Sequence, residues 1–181
     1  MSKRTICGLL ALFSIIFSCT NRNRIIEQTL SNIVNRELKI DYNNMDLINP
    51  KTNGIDLSKS QLIWVVFFHR DYCKSCFLKD LKKWGAFRDD YHHMSIVGII
   101  SGEVHDPQRV KDEICEMNLD IPVYLDKNDI FIKENKQIPE DKMYHTLLLD
   151  ESNMVKMVGN PVLSQEIKKM FDNFYKKHIN N

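Results

Sequence analysis

The pattern of apolar residues alternates along the chain between continuous runs and helical spacing. Leu62 to Phe68 and Ser95 to Ser101 are continuous runs rich in β-branched, aliphatic and aromatic residues. Such runs are typical of strands that are covered on both faces of a sheet. Between the runs, apolar residues recur at helical intervals while charged residues occupy the opposite face. The helical positions are Leu81, Trp84, Phe87 and Tyr91. The pattern predicts a buried strand, an amphipathic helix and a second buried strand.

Further elements are predicted on both sides of this unit. Apolar residues at helical spacing over Ile25 to Leu38 indicate a helix, and Met45 to Ile48 indicates a short edge strand. Asp106 is a suitable N-cap, and proline at position 107 suits the first turn of a helix that reaches about Met117. A third strand is expected at Pro122 to Leu125, and a short helix at residues 130–134.

The C-terminal part of the chain predicts a hairpin and a closing helix. Thr146 to Leu149 and Met154 to Val158 flank a polar loop of about four residues. Ser164 to His178 is expected to form the last helix, and its predicted inward residues are Ile167, Met170, Phe171, Phe174 and Tyr175. This order predicts an α/β fold, a three-layer sandwich in which a mixed central sheet has helices on both faces and right-handed crossovers.

The first nineteen residues have the order of a secretory signal. Lys3 and Arg4 precede an uncharged and largely apolar run from Ile6 to Ser18, which is short for a membrane span. Residues 16–19 resemble a bacterial lipoprotein signal, which implies that Cys19 is lipidated. An uncleaved N-terminal anchor and a conventional signal cleavage are the alternatives. We therefore expect a signal peptide at 1–18, a tether and N-terminal helix at 19–44, and one domain at 45–181. The domain would lie outside the cytoplasm, in the bacterial cell envelope, and would be anchored to a membrane by the lipid.

Charge argues against a nucleic-acid partner. The chain carries 25 Lys and Arg and 24 Asp and Glu residues, and loss of the signal removes Lys3 and Arg4, so the mature chain is near neutral. The sequence has no basic stripe of the kind that follows phosphates.

Two closely spaced thiols follow the first buried run. Cys73 and Cys76 flank Lys74 and Ser75 at the point where the predicted strand leads into the predicted helix. A helix N-terminus favours a thiolate, and the charge of Lys74 adds to this, so Cys73 is expected to be the attacking thiol and Cys76 the buried resolving thiol. A static disulfide over so short a loop would stabilise the fold by only ~2 kcal/mol, which favours a redox role over a structural one.

The order of elements, with a dithiol after the first central strand, resembles the thioredoxin fold. The resemblance covers about residues 45–178 and is closest to exported thioredoxin-like lipoproteins that reduce or exchange disulfides. It is carried by Phe68, Tyr72, the two cysteines, the stretch from His145 to Asp150, and Gly159. It implies a protein disulfide or dithiol as substrate and an upstream redox protein as partner. No metal or organic cofactor is required.

Two positions depart from the family pattern. Tyr144 stands where thioredoxin-like reductases carry a cis-proline, and a trans peptide is expected there because a cis bond costs ~3 kcal/mol without proline. Phe67 stands where thioredoxin buries an acid that assists proton transfer, so another group or water must deprotonate the resolving thiol.

Other interpretations of these residues stay open. A non-catalytic binding module would hold a partner peptide in a groove near Tyr72 and Tyr144. A peroxiredoxin-like peroxidase is less favoured, because Val66 and Arg70 replace the proline and threonine that precede the peroxide-reducing cysteine in that family. A zinc site is not favoured, because the sequence offers no second, regularly spaced pair of ligands beside the two cysteines.

Residues outside the dithiol have simpler expected roles. His69 is placed near the end of the strand, where it could tune Cys73. Cys115 is expected to be a small buried thiol on a helix, beside Val110, Ile114 and Met117.

Overall fold

The computed structural model describes residues 22–69, 74–102 and 106–179, and for residues 74–78 it describes the backbone alone. The chain divides into two compact units, Met1–Ile33 and Val34–Asn181. In the described part of the first unit, residues 22–33 form helix α1. The predicted signal peptide and the predicted lipidation site, Cys19, lie outside the described residues. In the ranges described, no helix is both long and apolar enough to cross a membrane.

Helix α1 ends earlier than the apolar pattern predicts. The predicted helix extends to Leu38, but Asn35 has a φ of 60°, a left-handed conformation that ends helices. The segment that follows belongs to the second unit and pairs with the sheet. The N–H of Asn35 donates to the carbonyl of Val155 at 2.8 Å, and the N–H of Val155 donates to the carbonyl of Arg36 at 2.9 Å.

The second unit is built on a mixed sheet of six strands in its described residues. The strands are β1 (Asp46–Leu47), β2 (Leu62–Phe68), β3 (Met94–Ser101), β4 (Val123–Asp126), β5 (Thr146–Asp150) and β6 (Val155–Val158). Their order across the sheet is β1-β4-β3-β2-β5-β6. Strands β2, β3 and β4 run parallel, whereas β1, β5 and β6 pair antiparallel with their neighbours.

Helices cover both faces of the sheet. They are α2 (Lys74–Arg88), α3 (Pro107–Glu116), α4 (Ile130–Glu134) and α5 (Gln165–Ile179). Trp64 of β2 belongs to one apolar cluster with residues of three helices, namely Leu81 and Trp84 of α2, Val110 and Ile114 of α3, and Phe171 of α5. On the opposite face, Phe67 of β2 packs against Phe131 of α4, with ring centroids 5.1 Å apart. The predicted α/β sandwich is confirmed.

Local signals explain where several of these elements begin and end. The Asp106 carboxylate accepts a hydrogen bond from the N–H of Arg109 at 3.0 Å, which confirms the predicted cap of α3. All seven residues of β2 are buried, as its continuous apolar run predicts. Strands β5 and β6 form the predicted hairpin across residues 151–154.

Two predictions about helix faces are wrong. Cys115 is exposed rather than buried, because Ile114 points to the sheet and successive helical residues are turned by about 100°. Met170 is 56% exposed for the same reason, since its neighbour Phe171 takes the position against the sheet.

This difference predicts unequal effects of two adjacent substitutions. Phe171 is fully buried and lies within 6 Å of the ring centroids of Trp64, Phe87 and Tyr91. Phe171→Ala should lower the free energy of unfolding in urea by about 3–5 kcal/mol. The matched control, Met170→Ala, should change it by no more than about 0.5 kcal/mol. Equal losses in the two variants would contradict the described packing of α5.

Candidate functional site

The predicted dithiol follows the C-terminal end of β2. This strand ends at Phe68, and α2 begins at Lys74, the residue directly after Cys73. Tyr72 and Cys73 lie outside the described residues. Lys74 and Cys76 lie in the first turn of α2, where the backbone is described and the side chains are not. The predicted roles of these four residues therefore stay predictions.

The described residues at this end of β2 form a cluster of rings around Phe67. Phe67 is 2% exposed. Its ring centroid lies 5.1 Å from that of Phe131, 5.0 Å from that of His145 and 6.5 Å from that of His69. The predicted site residue His69 is thus beside Phe67 and half-buried. Because Phe67 cannot take up a proton, any acid-base chemistry here depends on its neighbours.

His145 is tied to β2 by its backbone and to a loop by its ring. Its carbonyl accepts a hydrogen bond from the N–H of Phe67 at 2.8 Å. Its Nε2 lies 2.9 Å from the carbonyl oxygen of Pro139. A carbonyl oxygen can only accept, so Nε2 carries the hydrogen and Nδ1 has the free lone pair.

The second ring nitrogen of His145 is buried without a partner. The residue is 4% exposed, and Nδ1 makes no hydrogen bond to the described part of the chain. Leaving a buried polar atom unpaired costs about 1–3 kcal/mol. Such an atom calls for an explanation beyond packing.

The surroundings keep the His145 imidazole neutral near pH 7. Burial is the largest effect and lowers the pKa of His145 below its ordinary value of 6.5, and the charge of His69 acts in the same direction. The bond to Pro139 and the carboxylate of Asp141 oppose this decrease in pKa. The neutral ring therefore presents a lone pair at Nδ1.

Tyr144 lies in a short 3-10 helix, Lys142–Tyr144, which the sequence did not predict. The Asp141 carboxylate caps it by accepting from the N–H of Met143 at 3.0 Å. Tyr144 is 6% exposed and offers little surface to a partner, whereas Met143 is 46% exposed. The described residues contain no cis peptide bond.

Asp126 is a second buried titratable group at the same end of the parallel strands. It ends β4, and its two carboxylate oxygens accept the N–H groups of Ile130 at 2.9 Å and Phe131 at 2.8 Å. These bonds begin α4 and hold Phe131 against Phe67. Both oxygens of Asp126 thus already have a structural partner.

Sequence reasoning missed His145 and Asp126 as candidates. One signal was available in the sequence. Each residue stands at the boundary of an apolar strand, at the end of the sheet where β2 leads to the dithiol. That signal does not show whether the side chain is buried or, for His145, in which direction its ring points. In the described ranges, no group of three or more His, Cys, Asp or Glu side chains is placed to hold a metal ion.

Comparison with solved structures identifies the fold. No family model matches the chain, and no curated protein does. The C-terminal domain of a candidate thiol-disulfide oxidoreductase from Bacteroides thetaiotaomicron superposes with a TM-score of 0.54 at 18% identity, over 81% of this chain and 98% of that one. A domain of a candidate thiol-disulfide isomerase from Cytophaga hutchinsonii gives a TM-score of 0.51 at 11% identity, over 82% and 97%. The fold is thioredoxin-like.

The thioredoxin-like fold gives the ring cluster a defined place. In it, β2 is the central strand that leads into α2, and β5 is the antiparallel strand beside it. His145 directly precedes β5 and is hydrogen-bonded to β2. The described site of this thioredoxin-like domain is therefore the junction of these two strands.

The lowered pKa of His145 predicts how stability depends on pH. Well above pH 6.5 the histidine is neutral in both the folded and the unfolded chain, so its contribution to stability is constant. As the pH falls below 6.5, the unfolded chain binds a proton that the folded chain does not, and stability decreases by at most ~1.4 kcal/mol per pH unit. His145→Gln should remove this component, which urea unfolding between pH 7.5 and 5.5 would measure.

The matched control is His92→Gln, because His92 is exposed in the turn between α2 and β3. Its stability should follow the pH dependence of the wild type. If His145→Gln also kept the full wild-type decrease, the described environment of His145 would be incorrect.

Proposed function

We propose that this protein is an extracytoplasmic, membrane-anchored thiol-disulfide oxidoreductase that uses the Cys-Lys-Ser-Cys dithiol. One observation carries the proposal. In a thioredoxin-like fold, the helix after the central strand begins at Lys74, so the cysteines fall immediately before the helix and within its first turn. A helix N-terminus stabilises a thiolate through its dipole and its unpaired N–H groups.

The reaction proceeds by two thiol-disulfide exchanges. The thiolate of Cys73 attacks one sulfur of a substrate disulfide, forms a mixed disulfide and releases the other sulfur as a thiolate. Cys76 then loses its proton and attacks the Cys73 sulfur, which releases the second substrate thiolate and leaves a Cys73–Cys76 disulfide. Two electrons pass from the dithiol to the substrate, and protons complete the two released thiols. A dithiol donor protein returns the enzyme to its reduced form.

The cellular setting of the proposal rests on the N-terminal sequence. The charged and apolar order of residues 3–18, followed by Cys19, supports export and lipid attachment. The substrates would then be protein disulfides or dithiols of the cell envelope. An oxidising compartment is also where a working dithiol meets disulfides.

The central prediction is a reversible redox couple between Cys73 and Cys76. It should be measured in glutathione buffers in a Cys115→Ser background, because the exposed Cys115 thiol would otherwise react with glutathione. Reduction of insulin or of a model disulfide should be lost in Cys73→Ser, since no attacking thiolate remains.

A chain without a reversible couple, or with activity unchanged in Cys73→Ser, would rule out the oxidoreductase. A folded protein that lacks the couple and binds a peptide would be the non-catalytic module. Peroxide consumption that depends on Cys73 would instead identify the peroxidase.

Lipid attachment gives a separate prediction. Cells that express the full chain should incorporate radiolabelled palmitate into it, and Cys19→Ser should abolish this labelling. Cys7→Ser is the matched control, because Cys7 lies within the segment that cleavage removes, and its labelling should equal that of the wild type. Label retained in Cys19→Ser would contradict the lipoprotein signal.

A further inference from the structure

Two large apolar side chains are exposed on one side of the last helix. Leu163 lies just before α5 and is 59% exposed, and Met170 lies two turns further along and is 56% exposed. The core does not need either of them, because α5 contacts it through the fully buried Phe171. The exposure of these two side chains therefore has no explanation in the packing of the domain.

Half-buried residues join the two exposed side chains into a continuous surface. Ile167 follows Leu163 by four residues, and Phe174 follows Met170 by four, so all four side chains share one side of the helix. Ile167 and Phe174 pack against the border of the core cluster. We call Leu163, Ile167, Met170 and Phe174 the α5 stripe. It is covered along its inner border and exposed along its outer one.

The α5 stripe lies on the side of the helix that is next to β6. A Cβ atom placed on Gly159, the residue that follows β6, would lie only 3.0 Å from Cδ1 of Ile167. The other side of α5 faces the turn between α2 and β3, where Lys168 donates to the hydroxyl of Tyr91 at 2.9 Å. The stripe is thus at the margin of the domain, beside the last strand of the sheet.

The exposed charges of α5 are mostly positive. Lys169, Lys176 and Lys177 are exposed, and Glu166 is the exposed acid of this helix. An apolar side flanked by lysines suits an anionic lipid surface, because the acyl region takes up the apolar side chains while the headgroups attract the ammonium groups. The long lysine stems allow the charged ends to stay at headgroup level.

The segment that leads from the proposed anchor joins the domain at the same margin. Asn35 and Arg36 are hydrogen-bonded to Val155, the first residue of β6. Strand β6 has four residues and spans ~13 Å, and at its other end Gly159 meets Ile167. A lipid at Cys19 is therefore connected to the domain on the side that carries the α5 stripe.

We propose that the α5 stripe docks on the anionic surface of the membrane to which the protein is anchored. The proposal rests on the proposed function, which supplies the anchor. Leu163 and Met170 enter the boundary between headgroups and acyl chains, and the lysines of α5 contact the headgroups. Strand β6 then lies next to the lipid, and β1, at the opposite edge of the sheet, lies in water. Docking thereby gives the anchored domain one orientation.

The test places a fluorescent ring on the stripe. The full chain, purified from cells with its N-terminus as the cells make it, is reconstituted in phosphatidylglycerol vesicles whose acyl chains carry bromine, a quencher of tryptophan. Met170→Trp is the probe. Gln108→Trp is the matched control, because Gln108 is exposed on α3, the helix that connects β3 and β4. The fully buried Trp64 and Trp84 give the background, which the wild type measures.

Met170→Trp should lose about half or more of its emission above the background, whereas Gln108→Trp should lose little. In brominated phosphatidylcholine, which has no net charge, the quenching of Met170→Trp should decrease. Lys169→Gln with Lys176→Gln, added to Met170→Trp, should lower the ratio of docked to undocked protein by about tenfold. The same changes at Lys79 and Lys82, exposed lysines of α2, should leave that ratio nearly unchanged.

Flotation of the vesicles reports the anchor separately from docking. Protein that floats with both lipids, while Met170→Trp is quenched no more than Gln108→Trp, would overturn docking and leave the anchored oxidoreductase standing. Protein that floats only with phosphatidylglycerol, with Met170→Trp quenched, would support docking and contradict the anchor. Protein that floats with neither lipid would overturn both.

Two further outcomes would also overturn the proposal. Equal quenching of Met170→Trp in the two lipids would show that the lysines of α5 do not select an anionic surface. A blue shift of Met170→Trp emission that grows with protein concentration in the absence of vesicles would identify a second copy of the chain as the occupant of the stripe.

Discussion

The burial of β2 on both faces is the constraint on which the rest of this structure depends. Its seven residues pair with β3 on one side, and the first five of them also pair with β5 on the other. A strand in this position can hold no charged side chain without a large desolvation cost. Any polar chemistry must therefore begin where the strand ends. At this end the chain continues into α2, and His145 leads into β5.

The same constraint explains why the buried histidine of this site is not on β2 itself. Phe67 fills the space between β2 and α4, and its ring gives the neighbouring imidazole an apolar surface to pack against. Burial next to such a surface lowers the basicity of the ring and keeps its lone pair available. Apolar packing and a buried, unpaired nitrogen are thus produced by one arrangement of side chains.

Much of the fold could be predicted because its signals are local. The run from Leu62 to Phe68 matches β2 residue for residue, and the short helix at residues 130–134 matches α4, since apolar continuity and turn residues mark their ends. The orientation of helices is not local, and it was missed at Cys115 and Met170. The spacing of apolar residues defines a broad apolar face on a helix. Packing against the sheet then decides which residues of that face are buried.

The site was harder to predict for the same reason. The partner of His145 is a carbonyl six residues away, and its unpaired nitrogen is defined only by the folded surroundings. The contact between Phe67 and His145 joins β2 to the residue before β5, and these residues are far apart in sequence. A single sequence shows that a histidine precedes β5 and does not show that this histidine is buried.

The segment that follows α1 has a consequence for the sheet as a whole. By bonding to Val155 and bridging Met154 through Glu37, it covers part of the outer edge of β6. At the opposite edge, β1 is only two residues long. Exposed strand edges invite pairing with other chains, and short or covered edges prevent it. Both margins of this sheet are therefore protected against the edge-to-edge association that begins aggregation.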